Sequence, residues 1–322
     1  MTRITFLSPV QDDIFAVEKL MKSQSDGYNV ELKAALDHLL SSGGKRIRPA
    51  ITILLGRIFG AEYDRLITLA ASIELLHTAT LVHDDLIDAS LLRRNIPTLN
   101  AQWSPGATVL TGDFMFAQAA RLAANTESVP AIKLFAQTLS TIVNGEITQL
   151  FSTRCSADRE EYYQRIYAKT ASLFETAASS AALISPVDAA IVEISRGFGY
   201  EIGMAFQIID DILDFTGEQA TLGKPVGNDL RQGIVTLPAI YYVENYPKDP
   251  DVQALLNGVF FNDENRIERT VMAIRRSGAI QGALNEARVF AQRGLQHLRH
   301  LPDSPERQSL EELTEYIVQR DL

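Results

Sequence analysis

Long segments with helical periodicity make up most of this chain, and short breakers separate them. In the segment 64–90, apolar residues recur three and four positions apart, as at Leu66, Leu69 and Ile73, and no glycine or proline interrupts the run. The same periodicity predicts further helices at 106–125, 130–151, 159–182, 188–215, 233–246 and 283–300. Strand-like alternations are few and no βαβ rhythm is present. The sequence therefore predicts an all-α fold with several helices wholly enclosed.

The composition fits one large domain and argues against several classes of protein. A chain of 322 residues, 46% of them hydrophobic, can bury a sizeable core, and no obvious linker divides it, so we expect a single domain over residues 1–322. A formal net charge of −10 without a basic run argues against nucleic acid as a partner. The single cysteine, Cys155, suits a reducing compartment, so we expect a cytoplasmic protein. Asp12 and Asp13 precede any long apolar run, so we expect neither a signal peptide nor a membrane anchor.

Two acidic motifs of the same form, D-D-x-x-D, stand in strongly apolar surroundings at 79–90 and 204–216. On a helix, the first and last aspartates of each motif share one face, where like charges repel and a cation is needed. These outer aspartates are Asp84 and Asp88 in the first motif and Asp210 and Asp214 in the second. Oxygen ligands without a histidine or cysteine cluster suit Mg²⁺ shared with substrate phosphate. A solvated acidic face explains one motif equally well, but two copies favour a metal site on two facing helices.

Basic residues follow a pattern that suits a phosphate ligand. The stretch GGKRIRP at 43–49 is a glycine-permitted turn into a helix with three cations at its start, and we expect Lys45 and Arg48 to share one face. Further cations follow at Arg93, Arg94, Lys169 and Lys224. A solvated helix start is the alternative explanation for the first stretch. Together the acidic motifs and the basic residues predict a diphosphate ligand. The aspartates would bind it through a metal ion, and the basic side chains would neutralise it directly.

Seven motifs in order, between about Gly43 and Leu237, resemble those of the trans-polyprenyl diphosphate synthases, the prenyltransferases that elongate isoprenoid chains. They are GGKRIRP, HTATLVHDDLID, LLRR, GDF at 112–114, KT at 169–170, GMAFQIIDDILDFTG and LGKPVGNDL. The resemblance implies an all-α, isoprenoid-synthase-type helical bundle around a deep central cavity, in a single polyprenyl-synthase domain. It also implies a homodimer whose substrates are isopentenyl diphosphate and an allylic diphosphate.

The resemblance also implies a role for each motif residue. Mg²⁺ ions would be bound by Asp84, Asp88, Asp210 and Asp214, with Asp85 and Asp211 supporting the two clusters. The allylic diphosphate would be bound by Arg93, Lys169, Thr170, Gln207 and Lys224. Isopentenyl diphosphate would be bound by Lys45, Arg48, His77 and Arg94. The catalytic set is then Asp84, Asp85, Asp88, Arg93, Lys169, Asp210, Asp211 and Lys224. A buried core histidine is the alternative for His77, and His83 receives no role.

The chemistry that follows from these roles is an electrophilic condensation. The basic side chains would stabilise charge on the departing diphosphate, with Mg²⁺ held by the aspartates supplying Lewis-acid assistance, so that the allylic C–O bond would ionise. The double bond of isopentenyl diphosphate attacks the carbocation, and the loss of a proton, by family analogy to the released diphosphate, leaves a trans double bond. Apolar walls exclude water, and an aromatic face such as that of Phe206 helps to stabilise the cation.

Residues behind the first motif predict the product length. Thr80 and Ala79 lie about one turn deeper than Asp84 and are small, with Leu76 beyond them. Each turn advances about 5.4 Å, comparable with one isoprene unit. We therefore expect a geranylgeranyl or longer product, with the hexaprenyl-to-decaprenyl range favoured because HTATLVHDD resembles long-chain members.

The sequence departs from the family pattern in two places. Asn95 and Ile96 stand where the family generally has Gly-Lys, and Ile234 stands where a lysine is common. The second change removes one cation expected near the allylic diphosphate, so a weaker activity is expected.

Three alternatives use parts of the same pattern. A non-catalytic subunit of a heteromeric prenyl synthase typically lacks an acidic motif, whereas both are intact here. A terpene cyclase would not need a second diphosphate site built from Lys45, Arg48 and Arg94. A metal phosphohydrolase built on His83 and Asp84 would need more histidine ligands than the five scattered ones in the chain.

Overall fold

The structure, a computed structural model, describes residues 5–41, 43–94, 96–151, 156–217, 226–258 and 263–320. Helices make up most of these residues, so the all-α prediction is confirmed. The α-helices are α1 Gln11–Ser23, α2 Val30–Ser41, α3 Ile47–Ile58, α4 Tyr63–Ile87, α5 Leu99–Gln102, α6 Pro105–Asn125, α7 Val129–Phe151, α8 Arg159–Ile166, α9 Ser172–Leu183, α10 Ala189–Thr216, α11 Asn228–Arg231, α12 Leu237–Asn245, α13 Pro250–Leu256, α14 Glu264–Arg276, α15 Ala279–Leu298 and α16 Pro305–Gln319. A 3₁₀-helix covers Thr5–Val10 and a π-helical turn covers Tyr167–Ala171. In the described part of the chain, the strands are β1 Leu92–Arg93 and β2 Ile96–Pro97, which pair antiparallel.

Local sequence signals explain where several helices begin. Glu62 precedes α4, and its carboxylate accepts hydrogen bonds from the backbone N–H groups of Asp64 at 2.9 Å and Arg65 at 2.8 Å. These bonds hold the pKa of Glu62 below its usual value. Ser104 caps α6 through the N–H of Ala107, and a proline follows at the first helical position. Capping therefore starts these helices close to the predicted positions.

Two predicted helices contain a change of backbone conformation, and two others differ at one end, since the helix predicted over 64–90 ends at Ile87 and the one predicted over 283–300 begins at Ala279. The segment 159–182 was predicted as one helix, but the π-helical turn Tyr167–Ala171 separates α8 from α9. The helix predicted over 233–246 begins only at Leu237, because Gly233 has a φ of 86° and Thr236 has an extended backbone immediately before the helix. Both predictions were wrong in these details, since apolar spacing alone does not register a change of backbone conformation.

Contacts between Cα atoms divide the chain into two compact units. The first unit comprises the described residues of Met1–Leu139, Leu173–Gly199 and His297–Leu313. In it, α4 packs against α3 and α6, with Ile73 fully buried. The hydroxyl of Ser72 donates to the carbonyl of Ala119 at 2.7 Å, so that α4 is also hydrogen-bonded to α6.

Within the described ranges, one helix, Tyr63–Ile87, is long and apolar enough to cross a membrane by length and composition alone. Its most apolar stretch is 72% buried inside the protein. That burial is typical of a core helix, since the same apolar surface already contacts other helices.

The second unit comprises the described residues of Ser140–Ser172, Tyr200–Gln296 and Thr314–Leu322. Tyr162 and Phe215 are among its fully buried side chains. Gly227 has a φ of 69°, and a Cβ there would lie 2.5 Å from Cγ2 of Val271, so the turn before α11 requires glycine. The expectation of one domain over residues 1–322 stays a prediction.

Candidate active site

The glycine-rich loop before α3 does not have the predicted arrangement of cations. The helix begins at Ile47, and Arg46 at its N-cap has a left-handed backbone with a φ of 48°. Lys45 therefore precedes the helix, and the prediction that Lys45 and Arg48 share one helix face was wrong. The conformation of Arg46 breaks the helical spacing on which that prediction relied.

Arg46 is a structural cation rather than a site cation. Its guanidinium donates to Glu18 at 2.8 Å, to Glu74 at 2.9 Å and to the carbonyl of Leu40 at 3.2 Å. Arg46 and Glu74 are both buried, and the two carboxylates oppose the effect of burial and raise the pKa of the arginine. Of the three cations at the start of α3, Arg46 is therefore already neutralised, and Lys45 and Arg48 remain as candidates to bind a ligand. Of these, Arg48 is buried with its guanidinium 4.4 Å from the ring centre of Phe174.

Four predicted basic side chains of the first unit influence one another electrostatically. Burial, followed by the charges of Arg48, Arg93 and Arg94, lowers the pKa of His77 well below its usual value. Burial and the charges of Arg93 and Arg46 likewise lower the pKa of Arg94. Nη1 of Arg94 also donates to the carbonyl of Gly43, so the turn between β1 and β2 is tied to the glycine-rich loop. The structure brings these predicted residues together in a positive cluster that favours an anion.

The first acidic motif ends α4. Asp84 is half-buried, Asp85 is buried, and Asp88 is exposed at the helix C-cap. The Asp85 carboxylate accepts hydrogen bonds from Nε of Arg93 at 3.0 Å to both oxygens, and Nη2 of Arg93 lies 2.9 Å from Oδ1. The middle aspartate thus binds an arginine while the outer two reach solvent. Negative charge at a helix C-terminus is unfavourable, which increases the need for a cation there.

The second acidic motif repeats this pattern near the end of α10. Asp210 is 40% exposed and pairs with Arg320, which also lies 4.2 Å from the ring centre of Phe206. The Asp214 carboxylate accepts hydrogen bonds from the backbone N–H groups of Asn228 and Asp229, each at 3.2 Å. No motif or spacing indicates Arg320, because it lies 110 positions from Asp210 along the chain.

The middle aspartate of the second motif, Asp211, is buried and hydrogen-bonded on both oxygens. Oη of Tyr162 donates to Oδ2 at 2.7 Å, and Nε2 of Gln207 donates to Oδ1 at 2.8 Å. Burial, followed by the charge of Asp229, raises the pKa of Asp211 to about 8, against the hydrogen bonds that lower it. Tyr162 has no signal in the sequence, since aromatic residues in helices are usually core.

Lys169 and Thr170 lie on the π-helical turn Tyr167–Ala171. Nζ of Lys169 pairs with Oε1 of Glu146 at 2.8 Å, and the Thr170 hydroxyl donates to Oε1 of Gln207 at 2.6 Å. π-Helical turns are frequent at functional sites because they shift the direction of side chains. The structure therefore joins the KT motif to the second acidic motif through Gln207.

His83, which the sequence left without a role, lies between α4 and α6. Its Nε2 is 3.1 Å from the carbonyl oxygen of Val109 and 3.6 Å from Oδ1 of Asp113. A Cβ at Gly112 would lie 2.2 Å from that nitrogen. The glycine of the GDF motif thus makes room for a histidine that packs two helices together.

The predicted chain-length residues differ in accessibility. Ala79 and Leu76 are 0% exposed, whereas Thr80 keeps some accessible surface and its hydroxyl donates to the carbonyl of His77 at 2.7 Å. Thr80 is therefore the one of these three that a ligand can reach in this conformation. The role of all three in setting product length stays a prediction.

Three sequence predictions fall on residues outside the described ranges, at Lys224, Asn95 and Cys155. Of the departures from the family pattern, Ile96 lies in β2, and the backbone N–H of Ile234 donates to the carbonyl of Asp229 at 2.9 Å. The weaker activity expected from these departures stays a prediction.

The carboxylates suit a metal that keeps other ligands. Among the described residues, no group of three or more His, Cys, Asp or Glu side chains is arranged to hold a metal ion. Mg²⁺ is usually bound by one or two carboxylates, with water and substrate phosphate completing its shell. The outer aspartates of each motif have the oxygen ligands and the solvent access that such an ion needs.

Known proteins resemble this chain over nearly its whole length. A family model described as polyprenyl synthetase matches residues 29–274. Heptaprenyl diphosphate synthase component 2 of Geobacillus stearothermophilus is 38% identical over 320 residues, which cover 98% of each chain. Octaprenyl diphosphate synthase of Escherichia coli K12 is 35% identical over 287 residues, which cover 88% of each chain. A solved polyprenyl synthase from Caulobacter crescentus CB15, complexed with calcium and isoprenyl diphosphate, has a TM-score of 0.92 and 34% identity, covering 98% of this chain and 97% of that one.

The helical fold, the two acidic motifs and these relatives define the class of protein. It is a prenyltransferase that elongates isoprenoid chains. The chain belongs to the polyprenyl synthetase family, and among trans-polyprenyl diphosphate synthases it is of the long-chain type. This confirms the resemblance read from the seven motifs.

Proposed function

We propose that this enzyme condenses isopentenyl diphosphate repeatedly with an allylic diphosphate, trans and head-to-tail, to a product in the hexaprenyl-to-decaprenyl range. The observation that carries the proposal is the pattern shared by both acidic motifs, in which the middle aspartate is buried and the outer two reach solvent. Relatives named as heptaprenyl, octaprenyl and solanesyl diphosphate synthases support the product range.

We assign the outer aspartates, Asp84 and Asp88 with Asp210 and Asp214, to the Mg²⁺ ions that hold the allylic diphosphate. When bound, Mg²⁺ supplies Lewis-acid stabilisation of the departing diphosphate. The solved relative with calcium and isoprenyl diphosphate supports a divalent cation. Both outer aspartates of the second motif already have partners in Arg320 and the N-terminal amides of α11, and these must yield or be shared when the metal binds.

We assign the basic residues to the two diphosphates. Arg93, Lys169 and Lys224, with Thr170 and Gln207, bind the allylic diphosphate, while Lys45, Arg48, His77 and Arg94 bind isopentenyl diphosphate. The lowered pKa of His77 supports a neutral imidazole that donates a hydrogen bond rather than a charge. The basic side chains assigned to the allylic diphosphate would stabilise the charge that develops on it as it leaves, and apolar helices would exclude water.

We propose that the enzyme is a homodimer. Val143, Ile147 and Leu150 lie on one face of α7 and are 44%, 49% and 59% exposed, which is unusual for an apolar stripe of a monomer. Two relatives are named as component 2 of heptaprenyl diphosphate synthase, so dependence on a second component is the alternative. A cytoplasmic location without a stable membrane anchor is part of the same proposal.

The proposal is tested by incubating the purified chain alone with Mg²⁺, labelled isopentenyl diphosphate and farnesyl or geranylgeranyl diphosphate. The products are dephosphorylated and separated by chain length. Discrete polyprenols of six to ten isoprene units support the proposal. Arrest at geranylgeranyl contradicts the product range alone. A folded chain that incorporates no label with either primer contradicts its independent activity and favours the two-component alternative.

A further inference from the structure

A continuous set of hydrogen bonds runs from Tyr162 to the KT motif within the second unit. Tyr162 donates to Asp211 at 2.7 Å, Gln207 donates to the other oxygen of Asp211 at 2.8 Å, and Thr170 donates to Gln207 at 2.6 Å. These four residues lie on α8, α10 and the π-helical turn. Three of them were assigned to the reaction, and Tyr162 was not.

Tyr162 is held too deeply to contact a substrate. The side chain is 0% exposed, and its ring centre lies 5.5 Å from that of Tyr163 and 5.5 Å from the guanidinium carbon of Arg165. Packing therefore determines where the hydroxyl points. Any effect of this hydroxyl on the reaction must pass through Asp211.

The hydrogen bonds determine which end of the Gln207 amide faces each neighbour. In the structure, the NH₂ group of the Gln207 amide faces Oδ1 of Asp211, and the amide oxygen accepts from the hydroxyl of Thr170. The NH₂ group has a second hydrogen, and in this orientation it offers a donor to a phosphate oxygen. Loss of the Tyr162 bond lets the carboxylate of Asp211 rotate, and the amide orientation is no longer determined.

We propose that Tyr162 is a positioning residue for the allylic diphosphate, acting through Asp211 and Gln207. This inference rests on the proposed function, in which Gln207 and Thr170 contact that diphosphate. At metal sites, loss of an outer partner that holds a ligating side chain costs about tenfold or more in affinity, and we expect an effect of the same order here. A hydroxyl with no access to the ligand is thereby part of its binding site.

The test is Tyr162→Phe, which keeps the ring and removes only the hydroxyl. The affinity for an unreactive allylic thiodiphosphate with Mg²⁺ is measured by calorimetry, beside the KM for isopentenyl diphosphate and the Tm. We expect affinity for the allylic analogue to fall about tenfold while the KM for isopentenyl diphosphate is unchanged. A fall in affinity for both substrates alike, or no change in either, would overturn the inference.

Tyr242→Phe is the matched control. Its hydroxyl donates to Oδ2 of Asp249 at 3.0 Å, in a pair that shares no residue with the Tyr162 set. This variant also loses a tyrosine–aspartate hydrogen bond, so we expect a comparable change in Tm without a change in either substrate constant. An equal loss of allylic affinity in the control would assign the effect to stability and overturn the inference.

A double variant tests whether Tyr162 acts through Gln207. Combined with Gln207→Leu, the change Tyr162→Phe is expected to weaken the analogue no further than Gln207→Leu alone, whereas independent effects would multiply. Multiplying effects would overturn the inference. A wild-type protein that does not bind the analogue contradicts the proposed function and the inference with it. If the wild type and the Tyr162→Phe variant bind the analogue equally tightly, the inference alone is contradicted.

Discussion

Individual charged side chains of the sequence motifs differ in what they contact. Arg46 and Arg48 are two positions apart, yet one pairs with Glu18 and Glu74 while the other lies over an aromatic ring beside His77. In both acidic motifs the middle aspartate is buried and the outer two reach solvent. Aspartates that look equivalent in the sequence motif therefore differ in their burial.

The His77 imidazole predicts that the stability of the protein depends on pH. Its folded-state pKa lies below the unfolded value of 6.5, so unfolding takes up a proton at acidic pH and stability falls as pH drops below about 6.5. We expect His77→Gln to remove this loss. The free energy of unfolding of the variant minus that of the wild type should be constant above pH 7. Below pH 6.5 this difference should increase by up to about 1.4 kcal/mol for each pH unit.

Urea unfolding at pH 5, 6, 7 and 8 measures this difference. His38→Gln is the control, because it makes the same substitution at a partly buried histidine whose Nε2 lies 2.7 Å from the carbonyl oxygen of Pro97. A difference for His77→Gln that does not change between pH 5 and 8 would contradict the lowered pKa.

The pair between Arg320 and Asp210 predicts a competition with Mg²⁺. Because the guanidinium occupies a carboxylate that we assign to the metal, Arg320→Gln should lower the Mg²⁺ concentration needed for half-maximal activity. Asp210 is 40% exposed, so the gain is modest, about two- to fivefold. Titration of activity with Mg²⁺ measures it. A higher Mg²⁺ requirement in the variant would mean that Arg320 supports the metal site instead.

At the scale of elements, the long helices pack at close approaches that depend on glycine. Gly199 on α10 faces the backbone of α9, where an added Cβ would lie 2.5 Å from the carbonyl oxygen of Phe174 and 2.7 Å from Cα of Glu175. Backbone atoms cannot move aside as a flexible side chain does. The spacing of α9 and α10 within the first unit is therefore set by this residue.

Gly199→Ala is expected to lower the free energy of unfolding by about 1–3 kcal/mol, because it overpacks this contact. Gly106→Ala, also in a helix but with nothing within 4 Å of its Cβ, should be neutral or stabilising by up to about 1 kcal/mol. Chemical denaturation of both variants compares them. If both variants have the same free energy of unfolding, the close packing of α9 and α10 is contradicted.

The sequence predicted these elements well where local signals decide them. Caps at Glu62 and Ser104 start α4 and α6 within one residue of the predicted positions. The π-helical turn at Tyr167–Ala171 was missed because it continues the apolar pattern of the flanking helices. Local spacing contains no information about such a change of hydrogen-bond pattern.

The chemistry of the candidate site was predictable from the sequence, but the contacts among its residues were not. Acidic and basic motifs identified the chemistry, because their residue types and order are specific. The partners of Arg46, Asp210 and Asp211 come from helices far along the chain, and tertiary packing selects them. Neither the structural role of Arg46 nor the bond from Tyr162 to Asp211 had a signal in spacing.

For the whole molecule, the exposed apolar face of α7 predicts the state of assembly. Ile147 lies between Val143 and Leu150 on that face and is 49% exposed. A charge there would be desolvated in a dimer and solvated in a monomer. We therefore expect Ile147→Glu to reduce the sedimenting mass from twice the chain mass of 35.6 kDa to the chain mass itself.

Thr148→Glu is the control for this prediction, because Thr148 is also exposed and follows Ile147 on the same helix but points away from the stripe. The control is expected to remain a dimer. A wild-type chain that sediments at its own mass, or an Ile147→Glu variant that stays dimeric, would contradict the proposed role of this face.

The central claim is that both acidic motifs serve one prenyl-transfer reaction. The most direct measurement is the rate of labelled isopentenyl diphosphate incorporation at saturating Mg²⁺ and allylic primer by Asp84→Ala and Asp210→Ala. Asp64→Ala, an exposed aspartate at the other end of α4, is the control. We predict that each motif variant loses about a hundredfold or more in rate while remaining folded, and that the control keeps the wild-type rate. Near-wild-type incorporation by either motif variant would contradict the account.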